Sequence, residues 1–322
     1  MDDKNSLPLE LEELTLALLH SRSEVERLRE REHLFSSLLG SVNAVLWAFD
    51  WDEQRMIYVS PAYEHIFGRS AASLLADYGE WLNSIYPDDM EYAAASLAQA
   101  LDTGAVEARE YRILRHDGQL RWLSDKCFVS RRGDDKTRIL VGIAEDITDK
   151  KLLEGELQRL ATTDVLTQSS NRRHFFECAQ REFTAAREAG TPLAFLLLDL
   201  DDFKQINDTY GHQMGDQVLL RIAECGAATL RRGDLFGRIG GEEFAVVLPY
   251  CESVLAEQIA ERLQREIQRL LFSQDDTTFR VTVSQGLTSL TSSDQLLDNL
   301  YTRADAAMYQ AKRQGKNQIV VS

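Results

Sequence analysis

The sequence predicts a mixed α+β and α/β protein with two domains, one helix before the first domain and another between the two. Three observations predict this architecture. Leucines recur at steps of four and three near the N-terminus and again at residues 153–160, which is typical of amphipathic helices. Three strand-like runs between residues 107 and 144 are separated by Asp-Gly and Gly-Asp turns, as in an antiparallel sheet. Two later apolar runs, 195–200 and 244–248, have the length of buried strands.

Length and composition set the broad class. The 322 residues are enough for two domains of ordinary size. The sequence has neither a long apolar run nor the apolar segment of a signal peptide, so we expect a cytoplasmic protein with no membrane partner. A formal net charge of −16 disfavours polymeric nucleic acid as a partner. The four cysteines lack CxxC spacing and are interpreted as reduced thiols.

Residues 1–36 are predicted to form an N-terminal helix with a short coiled-coil seam. Apolar side chains recur along it at Leu7, Leu11, Leu14, Leu18, Val25, Leu28 and Phe35. Ser21 and Glu32 occupy the missing positions of the repeat. Because the helix is long and its other faces are charged, we expect it to make the chain a homodimer. An amphipathic helix packed on its own domain is the alternative.

Residues 37–148 are predicted to form a domain with an antiparallel sheet and flanking helices. The predicted strands are 44–49, 56–60, 107–114, 119–130 and 137–144. The region resembles a PAS sensory domain. The resemblance rests on Tyr58-Val-Ser-Pro-Ala-Tyr63 with Phe67-Gly68, Pro87-Asp88-Asp89, Tyr111-Arg-Ile with Asp117-Gly118 and Trp122, and Asp146-Ile147-Thr148.

The ligand of this domain is left unknown. A light-sensing flavin domain of the LOV type needs a reactive cysteine in an Asn-Cys-Arg-like context, and Cys127 lies in a late strand instead. Haem commonly needs a histidine on the helix before the last three strands, and residues 88–101 contain none. Non-covalent flavin stays open, because Trp47, Trp81 and Trp122 are available to line a pocket. Aromatic residues in such a core more often pack together, so we expect no ligand or an unidentified small one.

Residues 149–163 are predicted to be a helical linker, in which Leu153, Leu157 and Leu160 repeat the steps of four and three. A helix that leaves the last strand of one domain and enters the next would transmit a twist between them. A passive linker is the alternative.

The tetrad Gly240-Gly241-Glu242-Glu243 lies between two apolar runs, 234–239 and 244–248. Two glycines between strands predict a tight hairpin turn, since glycine adopts the positive φ values that such turns use. The turn would present bare backbone N–H groups to phosphate and two carboxylates to Mg²⁺. Upstream, the run 195–200 ends in acids, which would place Asp199 at a sheet edge as a metal ligand. A hairpin of this kind alone is usually only a turn.

Residues 163–321 resemble the GGDEF domain of the diguanylate cyclase family. The resemblance rests on Asp164-Val-Leu-Thr with Asn171-Arg172-Arg173, Asp199-Leu-Asp-Asp-Phe-Lys-Gln-Ile-Asn207-Asp208, Tyr210-Gly-His-Gln-Met-Gly-Asp216, Arg231-Arg-Gly-Asp234, Gly240-Gly-Glu-Glu-Phe244, and Ala304-Asp305-Ala-Ala-Met-Tyr309-Gln-Ala-Lys312-Arg-Gln-Gly315-Lys316-Asn317. It implies a palm-like domain at 164–322, with a central sheet and surrounding helices. It also implies condensation of two GTP molecules into cyclic di-GMP and pyrophosphate, by a homodimer in which two GTP-loaded domains face each other.

The resemblance assigns roles to single residues. Mg²⁺ or Mn²⁺ would be held by Asp199, the carbonyl of Leu200, Glu242 and Glu243. The two glutamates are the candidate catalytic residues, and which of them deprotonates the ribose 3′-hydroxyl is left open. Phosphates would meet Phe203 and Lys204 at the start of a helix, the backbone of Gly240 and Gly241, and the pair Lys312 and Lys316 on one helix face.

Guanine selection is assigned to Asn207 and Asp216. The Watson–Crick edge of guanine offers N1–H and N2–H₂ donors, whereas an ionised carboxylate only accepts. Asp216 therefore suits guanine, and Asn207, which both donates and accepts, completes the pairing. Without the resemblance, Asn207 would be interpreted as a helix cap and Asp216 as an acid at a helix N-terminus.

Arg231 and Asp234 match the inhibitory RxxD site of the family, with Arg262 as a second contact from a neighbouring domain. The resemblance thus implies feedback inhibition by cyclic di-GMP. One departure is that Gln168 and Ser169 stand where the family usually has glycine and an apolar residue. We expect a looser entry into the first helix of the domain, without loss of metal or base contacts.

Two alternatives stay open. A degenerate GGDEF domain would bind GTP or cyclic di-GMP without turnover, but such relatives usually lose the hairpin acids, and Glu242 and Glu243 are present. A cyclase for another nucleotide on the same fold agrees less well with Asn207 and Asp216. Competition by ATP would test it.

Overall fold

The computed structural model describes residues 20–31, 44–131, 138–275 and 277–322. The chain divides into two compact units, Met1–Glu154 and Gly155–Ser322. Residues 20–31 form a helix, α1, on which Val25 and Leu28 are exposed. The other apolar positions of the predicted coiled coil lie outside the described residues, so the coiled coil stays a prediction.

The first unit contains one five-stranded antiparallel sheet, in the order β2-β1-β5-β4-β3. Its strands are β1 (Ala44–Asp50), β2 (Arg55–Val59), β3 (Ala105–Leu114), β4 (Leu120–Arg131) and β5 (Arg138–Asp146). Its helices are α2 (Ala62–Phe67), α3 (Ala71–Ala76), α4 (Gly79–Leu82) and α5 (Met90–Thr103), with a 3₁₀ turn at Pro87–Asp89. The predicted antiparallel sheet with flanking helices is confirmed.

The turn between β3 and β4 forms where the Asp-Gly signal predicts it. Gly118 adopts a φ of 82°, a left-handed conformation that glycine takes without steric cost. The side chain of Asp117 accepts a hydrogen bond from the backbone N–H of Gln119 at 3.0 Å. Local turn chemistry therefore sets this hairpin.

The second unit contains a six-stranded mixed sheet, in the order β13-β12-β7-β9-β8-β6, and a separate hairpin, β10-β11. The strands are β6 (Ser170–Asn171), β7 (Leu193–Leu200), β8 (Leu235–Arg238), β9 (Glu243–Pro249), β10 (Phe272–Gln274), β11 (Thr277–Phe279), β12 (Val283–Ser289) and β13 (Ile319–Val321). Helix α6 (Thr148–Thr162) begins in the first unit and ends in the second. The other helices of the second unit are α7 (Arg172–Ala189), α8 (Phe203–Tyr210), α9 (His212–Thr229), α10 (Ser253–Arg269) and α11 (Leu297–Arg313).

The boundary between the two units falls inside α6, which covers most of the predicted linker 149–163. The predicted domain limits, 37–148 and 164–322, stay predictions. Within the described residues, none of the helices combines the length and the hydropathy that crossing a bilayer requires.

Strand β7 is buried along its whole length, because helices cover both faces of the sheet. Leu196, Leu198 and Leu200 pack into one hydrophobic cluster, which also includes residues of α9 and α10. Phe195 and Leu197 point to the other face and pack with residues of α7 and α11. By the alternation of the strand, Asp199 lies on the α7–α11 face, at the end of β7.

Candidate active site

Three acidic residues, Asp199, Glu242 and Glu243, lie at one edge of the mixed sheet. Strand register pairs Asp199 of β7 with Glu243 of β9. The backbone N–H of Leu200 donates to the carbonyl of Glu242 at 3.2 Å, which brings the hairpin turn beside the end of β7. Burial raises the pKa of the Asp199 carboxyl to about 6; the Lys312 ammonium opposes this rise, and Glu242 and Glu243 add to it.

Lys312 supplies the positive charge at this edge. Its Nζ atom lies 2.7 Å from Oδ2 of Asp199, and it reaches there from the last turn of α11. Gly286 on β12 permits this approach, since a Cβ there would lie 2.0 Å from the carbonyl oxygen of Ala304 on α11. Only glycine lets the helix pack this closely on the sheet, a requirement that no local sequence pattern indicated.

The predicted hairpin is present, between β8 and β9, but the predicted reason for its glycines is wrong. Neither Gly240 nor Gly241 has a positive φ. Gly240 is needed for space instead, because a Cβ there would lie 2.3 Å from Oε2 of Glu243. A Cβ at Gly241 would meet no atom within 4 Å, so this part of the turn is open.

The donor chemistry of this edge fits a hard divalent cation. Asp199, Glu242 and Glu243 offer carboxylate oxygens, and Leu200 ends β7 with a backbone carbonyl. Oxygen ligands of this kind are the ones that Mg²⁺ and Mn²⁺ prefer. In the described part of the chain, however, no three acidic, histidine or cysteine side chains converge closely enough to hold a metal, and Lys312 is the partner of Asp199. The assignment of these ligands therefore stays a prediction.

Helix α8 begins at Phe203, directly after the acidic run, as expected. Phe203 packs into the core, and Lys204 is exposed. Asp202, which precedes the helix, adopts a left-handed φ of 56°. The free N–H groups of the first turn, together with Lys204, make this the end of α8 at which a phosphate would bind.

The prediction that Lys312 and Lys316 share one helix face is wrong. Helix α11 ends at Arg313, and Lys316 follows in a turn with a left-handed φ of 63°. The two ammonium groups pair with different carboxylates. Lys312 pairs with Asp199, whereas Nζ of Lys316 lies 2.6 Å from Oδ1 of Asp202. The helix stops early because the chain must turn at Gly315 to enter β13.

Asn207 and Asp216 lie together where α8 and α9 meet. A Cβ at Gly215 would lie 2.0 Å from Oδ1 of Asn207, so the amide packs directly on the start of α9. Asp216 is the next residue and is exposed, on a cleft of about 400 Å³ that Leu166 and Leu220 also line. Neither residue caps a helix, because both lie inside helical segments.

Arg231 and Asp234 bind each other. Nε of Arg231 lies 2.9 Å from Oδ1 of Asp234, and a second group, Nη2, donates to the carbonyl of Pro249 at 2.6 Å. Arg262 of α10 donates to the carbonyl of Thr229, at the end of α9. The three residues thus lie near one another, at the opposite end of the β8-β9 hairpin from the glycine turn.

Contacts of Arg238 and of Gln168 were not predicted from the sequence. Arg238 of β8 donates to the carbonyl of Gly241 at 2.8 Å and contacts Asp164 at 3.1 Å, so it holds the open side of the turn. Gln168 adopts a left-handed φ of 56°, and its side chain accepts a hydrogen bond from Arg159 of α6 at 3.0 Å. Glycine, which is usual in the family at position 168, takes such a conformation without strain. The contact between Arg238 and Asp164 joins residues 74 positions apart, so no local sequence signal indicated it.

The first unit encloses a second candidate site, a cavity of about 30 Å³ lined mostly by aromatic and aliphatic side chains. Beside it lies a buried ion pair, in which Nη2 of Arg109 is 2.6 Å from Oδ2 of Asp125. Trp47 also donates to Asp125, at 3.0 Å. The hydroxyl of Tyr63 is buried without a hydrogen-bond partner among the described residues, and burial raises the pKa of Tyr63 to about 12. A cavity of this volume holds a water-sized group, whereas a flavin needs several hundred Å³, as a rough guide.

Comparisons with known proteins agree with this description. Residues 161–318 match the family described as "Diguanylate cyclase, GGDEF domain", and residues 56–144 match the family described as "PAS fold". A diguanylate cyclase of Vibrio cholerae serotype O1 is 32% identical over 269 residues, which are 82% of this chain and 82% of the relative. Diguanylate cyclase DgcM of Escherichia coli K12 is 34% identical over 185 residues, which are 58% of this chain and 44% of DgcM.

Solved structures show the same fold. The coiled coil and GGDEF domain of DgcB from Caulobacter crescentus, in complex with c-di-GMP, aligns with a TM-score of 0.51 at 31% identity, over 54% of this chain and 93% of that one. Diguanylate cyclase SiaD from Pseudomonas aeruginosa, in complex with its activator SiaC, aligns with a TM-score of 0.50 at 24% identity, over 99% of this chain and 92% of that one, a likeness of fold alone. The fold and the site define a protein with a PAS domain and a GGDEF domain. The chain belongs to the diguanylate cyclase family.

Proposed function

We propose that the chain condenses two GTP molecules into cyclic di-GMP and pyrophosphate. The observation that carries this proposal is the register of Asp199 with Glu243, beside Glu242 and opposite Lys312. Phosphoryl transfer needs positioning and charge neutralisation more than covalent chemistry, and this edge offers both. The retained acids also favour an enzyme over a receptor without turnover.

The acids would bind and activate the reacting groups. Asp199, Glu242, Glu243 and the carbonyl of Leu200 would hold Mg²⁺ or Mn²⁺, which lowers the pKa of a bound hydroxyl and offsets phosphate charge. Either Glu242 or Glu243 would then accept the proton of the ribose 3′-hydroxyl. Burial of Asp199 among apolar strands keeps bulk water from this side of the site.

The triphosphate would lie between the start of α8 and the C-terminal end of α11. Lys312 and Lys316 supply ammonium groups whose present partners are Asp199 and Asp202, and an incoming triphosphate would compete for both. The free N–H groups of α8 and the open backbone N–H at Gly241 would donate hydrogen bonds to further phosphate oxygens. The exposed Lys204 adds a third cation nearby.

Guanine would bind where Asn207 of α8 and Asp216 of α9 lie together. Asp216 would accept hydrogen bonds from guanine N1–H and N2–H₂, and Asn207 would complete the pairing. Adenine presents an acceptor at N1, which would face the Asp216 carboxylate and leave it without a donor. We therefore expect ATP to compete weakly for the site.

The active form would be a homodimer, because one domain binds one GTP and the product contains two nucleotides. The leucines of α6 support this, since Leu153, Leu157 and Leu160 are 62%, 58% and 47% exposed, respectively. A helix with an uncovered apolar stripe at this spacing suits a parallel partner helix. The change Leu157→Glu should lower both dimer content and specific activity, measured by sedimentation velocity and initial rates.

Cyclic di-GMP would inhibit the enzyme at Arg231, Asp234 and Arg262. Arg231 and Asp234 pair with each other and lie far along the hairpin from the glycine turn, so bound product would act from outside the active site. The change Arg231→Ala should raise the product inhibition constant and leave the initial rate unchanged. The PAS domain would add a second control, through a signal that is unknown.

The decisive experiment incubates purified protein with GTP and Mg²⁺ and resolves the products by chromatography. The parent and a control, Glu257→Ala on the exposed face of α10, should form cyclic di-GMP, and Glu242→Ala should not. Equal product from parent and Glu242→Ala would contradict the assigned site. Nucleotide binding by a parent that forms no product would favour the alternative, a degenerate receptor.

A further inference from the structure

Asp201 is a buried carboxylate that the proposed reaction does not use. It is 7% exposed and forms no ion pair with a described residue, although Lys312 and Lys316 pair with the acids on either side of it. Its two oxygens accept three hydrogen bonds: from the hydroxyls of Thr282 and Ser284, each at 2.6 Å, and from the backbone N–H of Asn317 at 3.0 Å. A buried acid with three donors is held firmly in one orientation.

The third of these bonds fixes an unusual turn. Lys316 and Asn317 both have left-handed φ values, 63° and 47°, which residues with a Cβ seldom adopt in succession. Gln264 of α10 donates to the side chain of Asn317 at 3.2 Å. The turn therefore keeps its conformation through contacts from Asp201 and from α10 rather than through its own preference.

Asp201 also belongs to the loop that begins α8. Its neighbour Asp202 has a left-handed backbone conformation, with a φ of 56°. The carboxylate of Asp202 accepts a hydrogen bond from Nζ of Lys316 at 2.6 Å. The backbone N–H of Asp201 donates to the carbonyl of Thr282 at 2.9 Å, which anchors this loop to the segment before β12. One residue thus joins the turn that carries Lys316 to the start of α8.

We propose that Asp201 is a positioning residue for the triphosphate: by holding the Asn317 N–H, it sets the place of the Lys316 ammonium relative to the first turn of α8. Asp201 does not touch the substrate. The role rests on the proposed function, in which Lys316 and the start of α8 bind the phosphates of GTP.

The change Asp201→Asn tests this with little change in size. An asparagine has one acceptor oxygen and an NH₂ group, so it cannot accept from all three donors, and its NH₂ would face a donor. The turn at Lys316 should loosen, and binding of the triphosphate should weaken. Binding of guanosine, which has no phosphate, should stay at the parent level because Asn207 and Asp216 lie elsewhere.

The measurement is calorimetric titration of the full chain with guanosine and with a GTP analogue that has a methylene group between the α and β phosphorus atoms. We expect Asp201→Asn and Lys316→Ala each to weaken binding of the analogue about tenfold, a change of about 1.4 kcal/mol in the free energy of binding. We expect the double variant to bind the analogue no more weakly than Lys316→Ala alone, since Asp201 acts through Lys316.

Several results would overturn the positioning role. These are parent-like binding of the analogue by Asp201→Asn, an equal loss of guanosine binding, or additive losses in the double variant. Parent-like binding by Lys316→Ala would instead overturn the proposed phosphate contact itself, so the two failures are distinguishable. Should Asp201→Asn fail to fold, Ser284→Ala removes one of the three donors, and we expect a smaller loss that is again confined to the analogue.

Discussion

Nζ of Lys312 lies 2.7 Å from Oδ2 of Asp199, and this ion pair joins the end of α11 to the end of β7. The Lys312 ammonium offsets part of the negative charge of Asp199, Glu242 and Glu243 at this edge of the sheet. Because Asp199 is buried, the pair is shielded from water and ions more than a surface pair would be.

Replacing Lys312 by methionine should lower the rate of GTP condensation by about tenfold or more, since removal of a preorganised charge contact in a shielded site typically costs that much. Lys312→Arg keeps the charge and should recover part of the rate. The measurement is the initial rate at saturating GTP, with Arg313→Met, one residue further along α11, as the control. An unchanged rate in Lys312→Met would show that the ammonium only balances Asp199.

The two glycines of the hairpin turn should respond differently to alanine. Gly240→Ala forces the Glu243 carboxylate to move, because the new Cβ would lie 2.3 Å from Oε2, so the rate should fall while the melting temperature stays near that of the parent. Gly241→Ala meets no protein atom within 4 Å and should fold equally well. Loss of GTP affinity in Gly241→Ala would show that the substrate approaches this backbone, and full activity in Gly240→Ala would contradict the spatial role of Gly240.

The buried pair Arg109–Asp125 should dominate the stability of the first unit. Asp125→Ala leaves the guanidinium buried without its partner, which should cost about 3–5 kcal/mol, whereas the double change Arg109→Met with Asp125→Leu should cost much less. All four tryptophans lie at positions 47–122, so their fluorescence during urea unfolding reports on this unit alone. Glu53→Ala, at an exposed ion pair, is the control and should change little. A double variant as unstable as Asp125→Ala would contradict this account.

The stability of the first unit should also depend on Asp89. Hydrogen bonds from the Arg112 side chain hold the pKa of Asp89 below its ordinary value of 3.8. A lowered pKa in the folded state means that this stabilisation is fully present above about pH 4 and is lost as the pH falls through the folded-state pKa. The urea midpoints of the parent and of Asp89→Asn, followed by tryptophan fluorescence, should therefore differ at pH 7, and the difference should shrink as the pH is lowered below 3.8. A difference that is independent of pH would speak against the ionic contribution, and Asp102→Asn serves as an exposed control.

Substitutions at Gln168 test the effect of having glutamine where the family usually has glycine. Alanine at 168 would lose the hydrogen bonds to Arg159 and Val165 and keep the left-handed conformation, whereas glycine would lose the same bonds without the steric strain. Gln168→Gly should therefore be more stable than Gln168→Ala by about 1 kcal/mol. The free energies of urea unfolding, followed by circular dichroism, provide the comparison. Equal stability of the two variants would show that position 168 is not strained.

Local signals predicted most of the fold. The strands of the first unit lie within about two residues of their predicted positions, since alternation and Asp-Gly turns depend on neighbours in sequence. The strand ending at Asp199 and the hairpin before Phe244 were also predicted. The position of Lys316 beyond the end of α11 was not predicted, because the end of a helix depends on where the following segment must go.

The sequence by itself determined the class of protein, the two sheets and the set of acids, because these follow from periodicity, turn residues and motifs that are local in the chain. Only the tertiary structure decided which polar and charged groups bind each other. Asp199 with Lys312, Asp201 with the turn at Asn317, and Arg238 with Asp164 join segments that are far apart in sequence. Such contacts arise when strand register and helix packing bring the segments together, and the same packing explains why Gly286 must lack a side chain.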